Sequence, residues 1–437
     1  MVRSSRLGAI AVSAALIVIA CTSTTSPPSP TAASTPAATA PTAAATAAGS
    51  PAALTIPGPV AVTLDPKTTA VLSLDLINPS CGQRPQCVAS LPKVADLLKR
   101  ARDAKVTVIH SITPAQGVTT RPEVAPVAGE VTVTANADKF IGADLEKILK
   151  DKGIQTVVIA GTAANGAVLY TSFGASSRGY TVVVPEDTIS VAPDLEFGVT
   201  FTRWQLLHQP GFPNTDNKPL EKQRVTLSRS DLVGFGTAAS GTPGPALKPD
   251  PATTSIPALN AVTVPASKTA VLVLDLIDPT CAQRPQCVSS LPKVADLLKR
   301  AREAKATVVY SLTPADNATI RPEVQPVSGE TIVRGNADKF INTNLDQFLK
   351  SSGATTLVIV GTAAHGAVLY TSFGANLRGY TVVVPVDGIS VSPGDEFGLL
   401  GTQWQLLNQP GFTNAANLPL TLARVTLSVT EGVTFSK

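Results

Sequence analysis

The sequence is poor in aromatic residues and has little net charge. Of its 437 residues only 4% are aromatic, and 35 basic side chains are nearly balanced by 31 acidic ones, for a net charge of +4. Basic residues cluster only in short groups such as Lys99 and Arg100, so the positive surface that nucleic-acid binding requires is missing. The hydrophobic content of 44% is nevertheless ample for packed cores, and the length predicts two or three domains.

Charged side chains are absent from residues 22–64, where Ala, Thr, Ser and Pro dominate. Such a composition cannot bury enough apolar surface to offset the entropy cost of ordering, so we predict a disordered tether over residues 21–58. Ahead of it, Arg3 and Arg6 precede an apolar stretch that is too short to span a bilayer comfortably. Residues 1–20 are therefore predicted to be a signal peptide.

The signal segment ends in Val-Ile-Ala followed by Cys21, which resembles the lipobox of bacterial lipoproteins. In that class the cysteine is diacylated and becomes the new N-terminus, and two acyl chains anchor a protein stably. The resemblance implies an exported, extracytoplasmic lipoprotein anchored to the bacterial cell membrane through Cys21. An ordinary secretory signal or a membrane anchor that happens to contain a cysteine is the alternative.

From about Ala61 onward the chain is a tandem repeat with a constant offset of 200 residues. LPKVADLLKRAR at 91–102 returns at 291–302, and RGYTVVVP at 178–185 returns at 378–385. The Pro- and Gly-rich stretch between the copies is typical of a linker. We assign repeat 1 to residues 59–235, the linker to 236–257 and repeat 2 to 258–437.

Within each repeat, short β-branched runs alternate with helical patterns. The nearly continuous apolar run from Val71 to Ile77 suits a strand that is buried on both faces of a parallel sheet. Ser90 can cap the helix that follows, with Pro92 in its first turn. The alternation predicts right-handed βαβ units and an α/β fold, namely two tandem three-layer α/β/α domains, each with a mainly parallel, Rossmann-like sheet.

In such folds the ligand site lies beyond the carboxyl ends of the strands, where Asp75, Asp275 and the two GTAA turns are placed. Four further cysteines follow the Asp-bearing strands, in the loops CGQRPQC and CAQRPQC. One Cys-x5-Cys pair per repeat in an exported chain predicts two local disulfides, Cys81–Cys87 and Cys281–Cys287. A metal site would need ligands from elsewhere, because neither pair has a nearby histidine, and we predict no metal and no other cofactor.

Five motifs resemble, in the same order, the isochorismatase-like hydrolases, the cysteine hydrolase superfamily that includes nicotinamidases and N-carbamoyl amidohydrolases. They are the Asp of VLSLDL or VLVLDL, RPEVAPVAGE or RPEVQPVSGE, DKFIGADLEKILK or DKFINTNLDQFLK, the GTAA turn, and RGYTVVVPED or RGYTVVVPVD. Together they cover nearly the whole of each repeat. The resemblance implies the fold of this family for both repeats.

The amidase branch of the family uses an Asp, a Lys and a nucleophilic Cys, whose thiolate attacks a carbonyl. The matching positions are Asp75, Thr134 and Ala167 in repeat 1, and Asp275, Arg334 and Ala367 in repeat 2. A methyl group cannot attack a carbonyl, and a guanidinium has too high a pKa to act as a proton donor. The resemblance therefore implies that the usual covalent route to amide hydrolysis is lost in both repeats.

True isochorismatases form a second branch and hydrolyse a vinyl ether, where an acidic Asp can protonate the alkene without help from a thiol. Their turn typically reads Gly-x-x-Ala-His-x-Gly, and GTAAHGA at 361–367 resembles it, with His365 in the matching place and Asn165 at that place in repeat 1. If either repeat is active, the resemblance implies repeat 2. Asp275 would be the general acid, Arg334 would fix an anionic substrate and His365 would position it.

Three functions stay open at this point. The leading interpretation is an exported lipoprotein in which both hydrolase sites have degenerated. Such a protein would bind an unidentified small molecule or serve as a structural module. The alternative is a thiol-independent hydrolase in repeat 2. A partner-binding module would instead need an exposed patch, which so few aromatic residues would make aliphatic.

One structural feature separates the first two functions. Asp75 and Asp275 would merely cap neighbouring turns in a relic, whereas an enzyme would place Asp275 in an enclosed pocket with a raised pKa. Family members commonly form dimers, so the resemblance also implies that the two repeats pack together as an intramolecular pseudo-dimer.

Overall fold

The computed structural model describes residues 54–78, 80–239, 241–250, 254–278, 280–315 and 317–437. The predicted signal peptide, Cys21 and most of the predicted tether lie outside these residues. Both repeats belong to one compact unit. Within the described ranges, no helix combines the length and the apolar character needed to cross a bilayer.

Repeat 1 contains, in chain order, β1 (Val62–Leu64), β2 (Thr69–Leu74), β3 (Ile77–Asn78), α1 (Pro85–Asp103), β4 (Thr107–Ile112), β5 (Thr119–Thr120), β6 (Val131–Thr134), α2 (Leu145–Asp151), β7 (Thr156–Thr162), α3 (Leu169–Ser177), β8 (Thr181–Pro185), β9 (Ile189–Ser190), α4 (Phe197–Leu207), β10 (Val225–Ser228) and β11 (Val233–Phe235).

Repeat 2 follows the same order with β12 (Val262–Pro265), β13 (Thr269–Leu274), β14 (Ile277–Asp278), α5 (Pro285–Glu303), β15 (Thr307–Leu312), β16 (Thr319–Ile320), β17 (Thr331–Arg334), α6 (Leu345–Ser351), β18 (Thr356–Thr362), α7 (Leu369–Leu377), β19 (Thr381–Pro385), β20 (Ile389–Ser390), α8 (Glu396–Leu407), β21 (Val425–Ser428) and β22 (Val433–Ser436). Short 3₁₀ turns lie at Pro122–Val124, Glu186–Thr188, Ser230–Leu232, Ala266–Lys268, Pro322–Val324 and Val386–Gly388.

Each repeat is built on a seven-stranded parallel sheet, which confirms the predicted fold class. The order is β10-β8-β7-β2-β4-β6 in repeat 1 and β21-β19-β18-β13-β15-β17 in repeat 2, with β9 and β20 paired to β7 and β18. All six residues of β2 and of β13 are buried, because α1 or α5 covers one face of the sheet and the other helices of the repeat cover the opposite face. These helices and the sheet form the three predicted layers.

Both predicted disulfides are confirmed. Cys81 is bonded to Cys87 and Cys281 to Cys287, with a Cα–Cα distance of 5.3 Å in each pair. Helix α1 begins at Pro85, inside the disulfide loop and earlier than the predicted start at Ser90. Ser90 is therefore not a cap, and its hydroxyl donates to the carbonyl of Cys87 at 2.8 Å within the helix.

One hydrophobic core runs through both repeats. At its centre Tyr170 stacks on Phe373 and Phe173 stacks on Tyr370, with ring centroids 3.6 and 3.7 Å apart. Hydrogen bonds cross the same contact, since the amide of Gln205 donates to the carbonyl of His365 at 2.8 Å. Trp204 and Trp404 are buried here as packing side chains. The two repeats thus share an interior rather than a surface contact.

Candidate active site

Asp75 and Asp275 each follow the central strand of their sheet, at its carboxyl end. Both have positive φ angles, 51° and 52°. Non-glycine residues rarely adopt this left-handed conformation, which costs conformational energy and clusters at active sites. Only 7% of Asp75 and 6% of Asp275 is exposed, so both carboxyl groups lie in a largely desolvated place.

A buried lysine contacts each of these carboxylates. Nζ of Lys139 lies 2.7 Å from Oδ2 of Asp75, and Nζ of Lys339 lies 2.9 and 2.7 Å from the two carboxylate oxygens of Asp275. Both lysines are 0% exposed. Burial raises the pKa of both Asp75 and Asp275, and the neighbouring ammonium offsets only part of that rise.

These lysines correct the sequence-based assignment, which matched the family Lys to Thr134 and Arg334. Thr134 and Arg334 are the last residues of β6 and β17, and both side chains are exposed, because the buried position in each strand is the preceding valine. Arg334 donates to the carbonyls of Thr313 and Ala315 at 3.2 and 3.0 Å. Lys139 and Lys339 lie five residues further on, beyond a turn that returns the chain to the Asp. Each Asp therefore keeps a lysine, supplied from another position of the same segment.

The turn at the nucleophile's place is buried beside the Asp-bearing strand. Gly361 has a φ of 136°, and a Cβ there would lie 2.0 Å from the carbonyl oxygen of Leu274, so only glycine permits this approach. A π-helical turn follows at Ala364–Val368, with a kink at Gly366, whose φ and ψ of −118° and −107° are not helical. Ala367 lies in it, 4% exposed, and repeat 1 places Ala167 in the same way. Neither methyl group supplies a nucleophile.

A pocket of about 360 Å³ opens above Asp275 and Lys339. Ala367 and His365 line it from the turn, and Arg284 lines it from the disulfide loop. Repeat 1 completes the wall with apolar groups, including Phe173 and the Pro210–Phe212 segment. The buried Asp275 with its raised pKa thus lines a pocket that has room for a ligand, and residues of both repeats form that pocket.

Arg284 is the second residue of this pocket, after Lys339, that the sequence did not lead us to expect. Its Nη1 donates to Oγ1 of Thr362 at 2.8 Å, and Arg84 makes the same contact with Thr162 at 3.0 Å. The available signal was the identity of QRPQC in the two cysteine loops, which is more than a disulfide spacer requires.

His365 is buried at the edge of the pocket, next to repeat 1. Its ring meets Trp204 edge-on at 5.3 Å, and its Nδ1 has no hydrogen-bond partner among the described residues. Burial, together with the nearby His208 and Arg284, lowers the pKa of His365 to about 3, so the imidazole is neutral at physiological pH. In repeat 1 the amide of Asn165 is instead committed to the carbonyl of Asn408, at 3.0 Å.

The family model described as "Isochorismatase domain" matches residues 69–197 and 269–397, together more than half of the chain. The chain belongs to the isochorismatase family. Both matches span the Asp, the buried Lys and the π-helical turn of their repeat, so each repeat is an isochorismatase domain.

Curated relatives resemble parts of this chain. A secreted isochorismatase effector of Verticillium dahliae is 33% identical over 113 residues, 23% of this chain and 60% of its own length. An N-carbamoylsarcosine amidase of Arthrobacter is 35% identical over 79 residues, 17% of this chain. An uncharacterized isochorismatase family protein of Bacillus subtilis is 33% identical over 107 residues, 24% of this chain. The chain spans 60%, 30% and 57% of these three relatives.

Solved structures include an N-carbamoylsarcosine amidase from Thermoplasma acidophilum, 22% identical with a TM-score of 0.31, over 38% of this chain and 97% of that one. A nicotinamidase from Staphylococcus aureus is 20% identical with a TM-score of 0.28, over 32% of this chain and 91% of that one.

Proposed function

We propose that repeat 2 is a thiol-independent hydrolase for a small vinyl ether of the isochorismate type. The observation that carries this proposal is the pairing of Asp275 with Lys339 on the floor of a pocket in which Ala367 replaces the nucleophile. A covalent thiol route has no reacting atom there. A raised pKa at Asp275 suits a carboxylic acid that must hold a proton before it donates it.

Asp275 starts the reaction by donating its proton to the terminal carbon of the vinyl ether. The cation that forms is delocalised onto the ether oxygen, and water adds to the substituted carbon. The resulting hemiketal breaks its carbon–oxygen bond, releasing an alcohol and a keto acid, and the proton lost by the added water returns to Asp275. Lys339 stabilises the carboxylate while the proton is away.

The substitution Asp275→Asn tests this mechanism in the full chain. We expect turnover of isochorismate to fall by about 10²- to 10⁴-fold, because an amide cannot donate an acidic proton. Asp75→Asn is the matched control in repeat 1 and should retain turnover. Since burial raises the pKa of Asp275, kcat/KM should fall as the pH rises through that pKa. Equal loss in both variants, or no turnover by the unsubstituted chain, would reject the proposal.

A ligand-binding module without turnover is the second candidate. It is favoured by the missing nucleophile in both repeats and by Asn165, which is hydrogen-bonded across the repeat contact. Binding of isochorismate and of small amides, measured beside turnover, separates the candidates. Saturable binding without product supports the module.

We also propose that the protein is exported and held at the membrane by lipid on Cys21. Two disulfides support an oxidising, extracytoplasmic compartment. Radiolabelled palmitate supplied to the producing bacterium should label the full chain, and Cys21→Ser should abolish the label and release the chain from membranes. Cys81→Ser serves as the control for loss of a cysteine elsewhere. Membrane retention of the unlabelled Cys21→Ser chain would instead indicate an ordinary uncleaved anchor.

A further inference from the structure

We propose that Arg284 is the anchor for a carboxylate on the ligand of repeat 2, so that this pocket selects a flat ring bearing a carboxylate. The inference rests on the pocket assigned above as the hydrolase site, and it names a substrate class and a specificity-determining residue for that site.

The charges that face the pocket leave a surplus of one cation. When Asp275 is ionised, its charge and that of Lys339 at 2.7 Å cancel, and protonation of Asp275 adds to the positive surplus rather than removing it. The neutral imidazole of His365 adds no charge. Lys339 is fully engaged, because it donates to the carboxylate and also to the carbonyl of Gly335 at 3.0 Å. Arg284 is therefore the positive group available to an incoming anion.

The guanidinium of Arg284 retains unused donors. Nη1 donates to Thr362, and in the described part of the chain no acceptor is bonded to Nε or Nη2. Asp275 and Asp395 attract the guanidinium electrostatically without a hydrogen bond to it among these residues. A planar guanidinium with free N–H groups binds a carboxylate in a two-pronged arrangement that a lysine cannot reproduce.

The backbone holds Arg284 in place from both sides. Its N–H donates to the carbonyl of Cys281 at 2.9 Å, and its own carbonyl accepts the N–H of Val288 at 3.1 Å, inside the loop closed by Cys281 and Cys287. An anchor that is fixed before binding loses less entropy when the ligand arrives.

Apolar groups that line the same pocket as Arg284 indicate the rest of the ligand. Phe173, Pro210 and Phe212 of repeat 1 and Pro314 of repeat 2 line the pocket together with the methyl group of Ala367. A flat ring fits between such surfaces, with its carboxylate directed to Arg284.

Benzoate is a suitable probe, and benzamide is its uncharged counterpart of the same shape. The chain contains three histidines, so ring-labelled histidine gives a simple NMR spectrum of the full chain. His365 lines the repeat 2 pocket, whereas repeat 1 has Asn165 at that place, so the ring signal of His365 reports binding in repeat 2. His110, bonded to Glu130 at 2.9 Å in repeat 1, is the internal reference.

We expect benzoate to shift the His365 signal. The substitution Arg284→Met should raise the Kd for benzoate by about 10- to 100-fold. Arg84→Met is the matched control and should change that Kd by less than about twofold, because its guanidinium lies in the other repeat. Arg284→Lys should bind with intermediate affinity, since it keeps the charge and loses the planar donors. Binding of benzamide should be the same in all variants.

Three results would overturn the anchor. They are an unchanged Kd for benzoate in Arg284→Met, a parallel loss of benzoate and benzamide in that variant, and an unshifted His365 signal in the unsubstituted chain. The test is independent of turnover. If no vinyl ether is hydrolysed while benzoate binding depends on Arg284, the hydrolase proposal fails and the anchor stands.

Discussion

Lys339 and Asp275 place two opposite charges where almost no solvent reaches. Removing both groups from water costs several kcal/mol. Their electrostatic attraction offsets this cost only when the two groups are close together and make further hydrogen bonds. The distance of 2.7 Å and the contact from Lys339 to Gly335 meet both conditions. The pair is therefore stable as a unit, and each member depends on the other.

Lys339→Met tests that dependence, since it keeps the length of the side chain and removes the charge. Asp275 then loses the one ammonium group that lies within hydrogen-bond distance of it in the described part of the chain, and its pKa rises further. A folded-state pKa above the unfolded one penalises folding increasingly as pH rises from the unfolded value to the folded one. We expect urea denaturation to show a loss of about 3–5 kcal/mol at pH 7 and a smaller loss at pH 4.

Two further variants complete this measurement. Lys299→Met makes the same change at an exposed position and should alter the unfolding free energy by less than about 0.5 kcal/mol. Adding Asp275→Asn to Lys339→Met removes the unpaired charge and should abolish the pH dependence. Equal destabilisation at both pH values would show that packing, rather than charge, is what Lys339 contributes.

Individual site residues differed in how far the sequence predicted them. Asp275 and Ala367 both line the pocket, with Asp275 directly after β13 and Ala367 in the turn that follows β18, and the apolar runs of these strands mark where each strand ends. Lys339 was missed because the family Lys was matched to Arg334 at the end of β17, whereas the side chain that reaches Asp275 lies five residues further on. Arg284 was missed because its loop was interpreted as a disulfide alone.

Among the secondary structure elements, the strands of the central sheet were the most predictable. β2 and β13 are buried on both faces, and continuous apolar runs are the direct consequence of that burial. The predicted start of α1 was wrong because Pro92 was placed in the first turn, where proline is favoured, whereas the structure has Pro85 at that place. The disulfide decides between them, because Cys87 lies in the first helical turn and is bonded back to Cys81.

β6 and β17 show how one element can misdirect a functional assignment. Their alternation buries Val133 and Val333 and turns the next side chain outward, so Thr134 and Arg334 face away from the core. A two-residue period carries this information, since adjacent side chains in a strand point to opposite faces. Arg334 was nevertheless assigned to the site from motif spacing, which ignores the face on which a side chain lies.

Across the whole molecule, repeat 1 forms part of the wall of the repeat 2 pocket, and the turn of each repeat contacts the other repeat. A Cβ at Gly366 would lie 3.1 Å from Pro210, and one at Gly166 would lie 2.6 Å from Pro410, so the turn of one repeat fits tightly against the Pro-Gly-Phe segment of its counterpart. The pocket of repeat 2 is complete only with Phe173 and Phe212 from repeat 1. Because both repeats lie in one chain, every molecule carries both sets of residues that line the pocket.

We expect the two repeats to stay associated after the linker at 236–257 is cut at an inserted protease site. Tyr370→Ala should separate them, because it removes the stack on Phe173 and the hydroxyl that accepts from Gln205 at 3.3 Å. Truncating a buried aromatic side chain costs about 3–5 kcal/mol, and at this position the loss weakens the association of the two repeats. Analytical ultracentrifugation of the cut protein measures directly whether the two repeats stay associated.

Tyr380→Ala is the matched control, because Tyr380 is equally buried but packs on Phe340 within repeat 2, with ring centroids 6.0 Å apart. It should lower the stability of repeat 2 and leave the cut halves together. Dissociation of the unsubstituted cut protein, or equal dissociation of both variants, would contradict an aromatic contact that holds the repeats as a pseudo-dimer. Association that Tyr370 alone controls would mean that the pocket wall from repeat 1 is maintained by this core and not by the linker.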